Sequence, residues 1–253
     1  MKSIYKLLLA ATPVLFVAAC GGGDDSIDDR LDIADPKVRF VHAIPAGPAV
    51  DFLRGPTVAG GVTNVSYRYA SKYFVVDTAP ADYTVRTTAG ASTIATINVN
   101  PTRGNKYTFI AMPGASTTNN LLLINDPYDK QLTATNGRVR VVNGSFNAAN
   151  VDVYLTAPTV DIATVGPNFA AAAYGTSVPG SGANSIDFTN GSYQLRVTTA
   201  GTKNVIFSAP LAVATNADLL LVTIPATLLA NSVKVLSVIA DNEQPATELL
   251  TQP

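Results

Sequence analysis

The chain has few of the residues on which catalytic and metal sites most often depend. Among its 253 residues there are one cysteine, one histidine and no tryptophan. No disulfide can form within the chain, and a metal site that needs two imidazoles is excluded. A Ser-His-Asp triad would have to use His42. We therefore expect a protein that is not an enzyme and that holds no metal and no cofactor.

Charge is also scarce. Charged residues make up 14% of the chain and the formal net charge is −1, which gives no electrostatic reason to expect nucleic acid as a partner. The 47% of hydrophobic residues exclude a disordered chain, and 18 glycines with 16 prolines argue against a helical one.

The N-terminus predicts a cleaved signal. Two basic residues precede a thirteen-residue apolar run over residues 7–19, which is shorter than the roughly 20 residues that span a bilayer. The run ends in Val-Ala-Ala-Cys20, which resembles the lipobox of bacterial lipoproteins. The resemblance implies that residues 1–19 are removed and that Cys20 receives the lipid that binds the bilayer.

Residues 20–36 are expected to form an acidic tether behind the lipidated Cys20. Six aspartates stand against the single Arg30, and such a segment stays solvated. The spacing of carboxylates in a calcium loop is missing, so we favour a linker. Gly21 follows the cysteine, and by analogy with lipoprotein sorting in enteric bacteria this favours the outer membrane, with the body facing the periplasm or the cell surface.

An internal repeat organises the rest of the chain. The segment Val-Arg-Phe-Val-His of residues 38–42 recurs as Val-Arg-Val-Val-Asn in residues 139–143. Val-Asp-Phe-Leu of residues 50–53 recurs as Val-Asp-Val-Tyr in residues 151–154, at the same offset. A weaker match aligns residues 107–110 with residues 218–221. Self-similarity at a fixed offset predicts two copies of one domain, over residues 37–130 and 131–253.

Each copy reads as short strands, rich in Val, Ile, Thr, Tyr and Phe and bounded by Gly, Pro or Asn. The strand density is typical of a β-sandwich. The predicted fold is all-β, with two tandem immunoglobulin-like antiparallel β-sandwich domains after the signal peptide and the flexible tether. The apolar stretch from residue 211 to residue 240 is broken by polar residues, and buried strands explain it better than a membrane span.

The opening of the first copy resembles a known bacterial family. Val-Arg-Phe-Val-His42-Ala-Ile-Pro45-Ala-Gly-Pro48-Ala-Val-Asp51-Phe is similar to the start of the domain-of-unknown-function family 4397, and Tyr83-Thr-Val-Arg resembles a later strand of it. The resemblance covers residues 37–130 and, more faintly, 137–242. It implies an extracytoplasmic β-sandwich and assigns no chemistry.

Three sets of residues are candidates for specific roles. His42 stands at the end of a strand, where we favour a loop anchor bonded to backbone over a catalytic group. The repeat pairs Arg39 with Asp51 and Arg140 with Asp152, which we interpret as exposed charge pairs across neighbouring strands, with a duplicated ligand site as the alternative. Tyr67, Tyr69 and Tyr73 would form a binding platform if one strand exposed them, although a buried strand is the more common arrangement.

These features predict a membrane-anchored envelope lipoprotein that acts as a non-enzymatic binding or adhesion module for a protein or glycan partner. The alternative is a structural component or spacer without a specific ligand. A secreted hydrolase is a third, less favoured hypothesis.

Overall fold

The computed structural model of the chain describes residues 34–115, 119–127, 135–240 and 245–251. The predicted signal peptide, Cys20 and most of the tether lie outside the described residues. Within these ranges the chain forms strands and a 3-10 turn at Ile162–Thr164. The strands are β1 Lys37–His42, β2 Val50–Arg54, β3 Thr57–Val58, β4 Phe74–Val75, β5 Ala81–Thr87, β6 Thr93–Val99, β7 Asn105–Met112, β8 Asn120–Pro127, β9 Asn136–Asn143, β10 Val151–Thr156, β11 Phe169–Ala172, β12 Thr176–Val178, β13 Ile186–Thr189, β14 Gly191–Thr199, β15 Val205–Val213, β16 Asp218–Pro225, β17 Val233–Ile239 and β18 Thr247–Leu249.

The described strands form four sheets, and each sheet takes its strands from one half of the chain. Sheet 1 has the order β3-β2-β5-β6 and sheet 2 the order β4-β1-β7-β8. Sheet 3 has the order β12-β9-β16-β17-β18, with β13 also paired to β9, and sheet 4 has the order β11-β10-β14-β15. The predicted domain boundary at residue 130 lies in residues 128–134, outside the described residues.

Sheets 1 and 2 enclose an aromatic core. Phe40 and Phe109 of sheet 2 meet Phe52 and Tyr83 of sheet 1, with ring centroids 4.6 Å apart for Tyr83 and Phe109 and 4.9 Å apart for Phe40 and Phe52. All four side chains are fully buried. Offset ring pairs of this kind add to the burial of their area, so this core fixes the first half of the chain.

Sheets 3 and 4 enclose a second core that is mostly aliphatic. Val139 and Val141 of β9 pack with Leu219 and Leu221 of β16, against Phe207 and other buried side chains of sheet 4. Alternate residues of a strand point to opposite faces of its sheet. The residues between these four therefore point away from the second core.

Apolar residues on this outward face of β9 and β16 contribute to a third core, which lies between sheets 2 and 3. Val41 and Ile110 of the first half pack with Val142, Leu220 and Val222 of the second half, and all are buried. The four sheets are therefore stacked in the order 1, 2, 3, 4. The inner sheets 2 and 3 are covered on both faces, which explains why β16 is a continuous apolar run rather than an alternating one.

The all-β sandwich class predicted from the sequence is confirmed, and the structure adds one feature to it. β1 pairs with β7 in parallel, and β9 pairs with β16 in parallel, while the other strand pairs are antiparallel. The registers also correct one alignment, because Lys37 lies opposite Lys106 and the equivalent Arg138 lies opposite Asp218. Asp218 thus corresponds to Lys106 and not to Tyr107.

Candidate functional site

The strongest candidate for a binding site is a groove of about 490 Å³ at the open edges of β3 and β4. Val58 of β3 is 41% exposed and Val75 of β4 is 61% exposed, and the half-buried ring of Phe74 lies between the two edges. Both strands contain only two residues. Val58, Phe74 and Val75 form a short row of apolar side chains beside the backbone edges of these strands, which we call the apolar ledge.

A glycine permits this arrangement. Gly60 follows β3 in a left-handed conformation with a φ of 54°. A Cβ atom at Gly60 would lie 2.3 Å from the nearest atom of the Phe74 ring, so any larger residue would displace the ring from the groove.

Paired ions line the rim of the groove. Arg54 donates through Nη1 to Asp77 at 3.0 Å, through Nε to the Tyr83 hydroxyl at 3.1 Å and through Nη2 to the carbonyl of Ala79 at 2.9 Å. The hydrogen bonds from Arg54 lower the pKa of Asp77 below its usual value. Because the two charges compensate each other, this pair adds little net charge to the rim of the groove.

Each half has a turn directly after its first strand, β1 or β9. The last residue of that strand holds the turn in place. His42 donates through Nε2 to the carbonyl of Pro48 at 3.0 Å, and its Nδ1 accepts the amide of Ile44 at 3.4 Å. The predicted loop anchor is therefore confirmed. This pattern requires a neutral imidazole with its proton on Nε2.

Asn143 makes the equivalent bonds in the second half. Its Nδ2 donates to the carbonyl of Ala149 at 3.4 Å, and its Oδ1 accepts the amide of Ser145 at 3.0 Å. These partners lie six and two residues along the chain, as Pro48 and Ile44 do from His42. An amide side chain thus reproduces the hydrogen bonds of a neutral imidazole.

The His42 anchor predicts a pH-dependent stability. Burial lowers the pKa of His42, although the bond to Pro48 opposes this. Because the folded protein binds the proton less tightly than the unfolded chain, the free energy of unfolding should fall as the pH drops below about 6.5. His42→Asn should lose this slope between about pH 7.5 and 5 while keeping the fold, as measured by urea unfolding. An equal slope in both proteins would contradict the assignment.

The predicted pairing of Arg39 with Asp51 is wrong. β1 and β2 lie in different sheets, and both residues are buried, with 5% exposure each. Arg39 does point away from the aromatic core, as its alternation indicates. Sheet 3 covers that face, so Arg39 is enclosed between the halves, where its Nε donates to Thr108 at 2.9 Å.

Asp51 organises loops instead of pairing with Arg39. One carboxylate oxygen accepts the hydroxyls of Thr63 and Thr88 at 2.8 Å and the amide of Asn64 at 2.9 Å, and the other lies 3.3 Å from Arg86 Nε. Burial opposes ionisation, yet the hydrogen bonds leave the pKa of Asp51 below its usual value. Asn64 has a φ of 53°, so Asp51 secures a loop that needs an unusual backbone.

Arg140 and Asp152 repeat this separation in the second half. Asp152 accepts the amides of Ala171 at 2.7 Å and Gly201 at 2.8 Å, and Ala171 has a φ of 50°. Arg140 donates to Asp126 at 2.9 Å, across the boundary between the halves. The repeat therefore preserves an aspartate that fixes loops and an arginine that is buried beneath the other half.

A buried ionic patch surrounds these arginines, between sheets 2 and 3. Arg138 lies 3.3 Å from Asp218, alongside the pair that Arg140 forms with Asp126. Burial and the nearby Asp218 carboxylate raise the pKa of Asp126 despite the two arginines. Removing one partner from such a patch leaves a buried charge uncompensated, so these contacts join the two halves in one arrangement.

The three tyrosines do not form a common platform. Tyr67 and Tyr69 lie in the loop between β3 and β4 rather than on one strand. Tyr67 donates to Glu248 at 2.6 Å, while Tyr69 packs against the aromatic core of the first half. The Tyr73 ring has the charged groups of Arg39 and Lys106 each 4.8 Å from its centroid. All three are at least half-buried, because the loop follows the junction between the halves.

The groove was not predicted from the sequence. Its local signals are two short pairs, Thr-Val at residues 57–58 and Phe-Val at residues 74–75, which are indistinguishable from ordinary edge strands. Within the part of the chain that the structure describes, there is no group of three or more His, Cys, Asp or Glu side chains that could hold a metal ion. Among the described residues, no helix is long and apolar enough to cross a membrane.

Comparison with known families places the groove within a recognised domain. Residues 36–154 match the model of DUF4397, a domain of unknown function. The chain resembles this family over β1 to β9 and most of β10, so the match continues past the predicted boundary at residue 130. No curated protein matches the chain.

Proposed function

We propose that the protein is an envelope lipoprotein, anchored to the outer membrane through Cys20, whose first half binds a protein or glycan partner without catalysis. The observation that carries the proposal is the groove between β3 and β4, with the exposed side chains of Val58 and Val75 along it. Large apolar side chains at adjacent open edges are the kind of surface that a partner covers.

The geometry of the groove favours an extended partner segment. The edges of β3 and β4 offer backbone groups to a strand that lies beside them, and the apolar ledge offers contacts for its alternate side chains. The ion pair of Arg54 with Asp77 gives the rim polar groups that a hydroxyl or an amide can also reach. Both ring nitrogens of His42 are engaged with backbone, which supports a binding role over a hydrolytic one.

The test is affinity capture from an envelope extract with three forms of the unlipidated mature chain. The wild-type protein is expected to retain a partner. The double variant Val58→Asp with Val75→Asp should retain at least about 10-fold less of this partner, because each change places a charge on the apolar ledge. Val205→Asp is the matched control, since Val205 is 42% exposed on β15 of the second half. If all three forms retain the same material, the groove does not bind and a spacer role is favoured.

A further inference from the structure

The turn between β16 and β17 carries two adjacent leucines into the solvent. Leu228 is 87% exposed and Leu229 is 73% exposed. Single exposed leucines are common on protein surfaces, but two neighbours at the apex of a turn form a protruding apolar tip. We call residues 226–232 the leucine tip.

The leucine tip is held in place from below by one side chain. The amide nitrogen of Asn147 donates to the carbonyls of Thr227 at 3.0 Å, Leu229 at 2.6 Å and Ser232 at 3.1 Å. The amide of Asn231 in turn donates to the carbonyl of Asn147 at 3.0 Å. Carbonyls that already accept a hydrogen bond lose little free energy when water is removed. These bonds therefore lower the cost of moving the tip into an apolar medium.

The leucine tip and the loop that holds it contain no charged residue. Residues 225–232 and the neighbouring loop of residues 144–151 contain no Asp, Glu, Lys or Arg. The nearest charged residue along β17 is Lys234, and its ammonium is paired with Glu248 at 2.9 Å. Contact with hydrocarbon therefore brings no charge with it, and an attraction that depends on salt is not expected.

The leucine tip lies at the opposite end of the body from the tether. β9 and β16 run in parallel, and both end beside the tip. Met112, at the end of β7, lies against Gly144 just after β9, so the inner strands of both halves end on the same side. β1 is parallel to β7, and its first residue Lys37 therefore lies at the other side, where the tether enters.

We propose that the leucine tip inserts into the same lipid leaflet that holds the lipidated Cys20, as a second point of attachment. The position of the first point of attachment rests on the proposed function. The chain from Gly21 to Pro36 reaches about 55 Å when extended, and eight-residue strands such as β9 span about 26 Å, so the far end can return to its own membrane. Two exposed leucines make a weak, reversible contact that an excess of lipid vesicles reveals without the tether. In the anchored protein, the tether holds the tip near the membrane surface at a high effective concentration.

The absence of tryptophan from the chain gives a direct test. Leu229→Trp introduces a single reporter in the mature chain from residue 20, made soluble by Cys20→Ser, and Val75→Trp is the matched control at the other end of the body. With vesicles of neutral phosphatidylcholine, the fluorescence of the residue 229 reporter should shift to shorter wavelength and be quenched by brominated lipid. The residue 75 reporter should show neither change, and the residue 229 signal should not depend on salt.

Adding Leu228→Ser to the Leu229→Trp chain should weaken vesicle binding at least about 10-fold, because one exposed leucine no longer enters hydrocarbon. The inference is overturned if both reporters respond alike, or if neither responds. It is also overturned if the residue 229 signal shifts with protein concentration in the absence of lipid, since the tip would then join two copies of the chain. The measurement uses unlipidated protein, so its result is independent of whether Cys20 is acylated.

Discussion

Replacing Cys20 with serine is expected to move the protein from the membrane fraction to the soluble fraction. An acylated cysteine places several acyl chains in the bilayer, and each buried methylene contributes about 0.8 kcal/mol, so the anchor is expected to be stable. Serine has no thiol to accept the lipid. The leucine tip alone is too weak to hold the diluted protein on membranes after cell lysis.

The matched control for this experiment is Gly22→Ser, which adds the same side chain two residues further along and leaves the cysteine in place. That variant should remain in the membrane fraction and should label with a radioactive fatty acid, whereas Cys20→Ser should not. Complete retention of Cys20→Ser in the membrane fraction would show that another segment anchors the protein.

The second large effect is expected from the core that lies between the two halves. Leu236 of β17 is fully buried there, among side chains of sheets 2 and 3. Leu236→Ala should lower the free energy of unfolding by about 2–5 kcal/mol, because it removes buried methyl groups and leaves a cavity. Urea unfolding followed by circular dichroism measures the change.

The control is Leu229→Ala, which truncates the same residue type just before the same strand, where it is 73% exposed. Its effect should stay within about 0.5 kcal/mol. Because the third core joins sheets 2 and 3, wild type and Leu236→Ala should each unfold in one transition. Two separated transitions, with only one of them moved by Leu236→Ala, would show that the halves unfold independently.

Local patterns predicted the strands well. Val-Arg-Phe-Val-His and its repeat form β1 and β9, and the alternation of Arg39 with Val38 and Phe40 places Arg39 on the face away from the aromatic core. The role of His42 as a loop anchor was also predictable, because its replacement by Asn143 in the repeat left only the functions that both side chains share. Such features depend on residues that are close in the sequence.

The packing of one half against the other was not predictable in this way. Alternation tells that Arg39 and Val41 share a face, but it does not tell whether that face meets solvent or a second sheet. Arg140 has the same ambiguity. The sequence also does not tell which strands are neighbours, since Arg39 and Asp51 are twelve residues apart and yet lie in different sheets. The exposure of Arg39 and Arg140 was therefore mispredicted because sheets 2 and 3 are buried on both faces. Asp51 and Asp152 lie in sheets 1 and 4, where the loops that they bind bury them.

The groove could not be predicted from the sequence either, because no single element forms it. Its walls, β3 and β4, are short elements at the edges of two different sheets, so no continuous pattern in the sequence marks it. Only the closure of sheet 1 over sheet 2 brings Val58 and Val75 to one surface. Sequence patterns are least able to predict a site that is formed by the edges of several elements.

The parallel pairing of β1 with β7 has a consequence for how the protein is made. The contacts between Val38 and Tyr107 or Phe40 and Phe109 join residues that are 69 positions apart, and such high contact order slows folding. β1 therefore has no parallel partner until β7, which ends at residue 112, has been synthesised. Even then, the face of sheet 2 that carries Val41 and Ile110 remains without its cover until β16 and β17 arrive. This apolar face therefore stays uncovered until the last sixth of the chain is available, and the complete chain is needed before the face is buried.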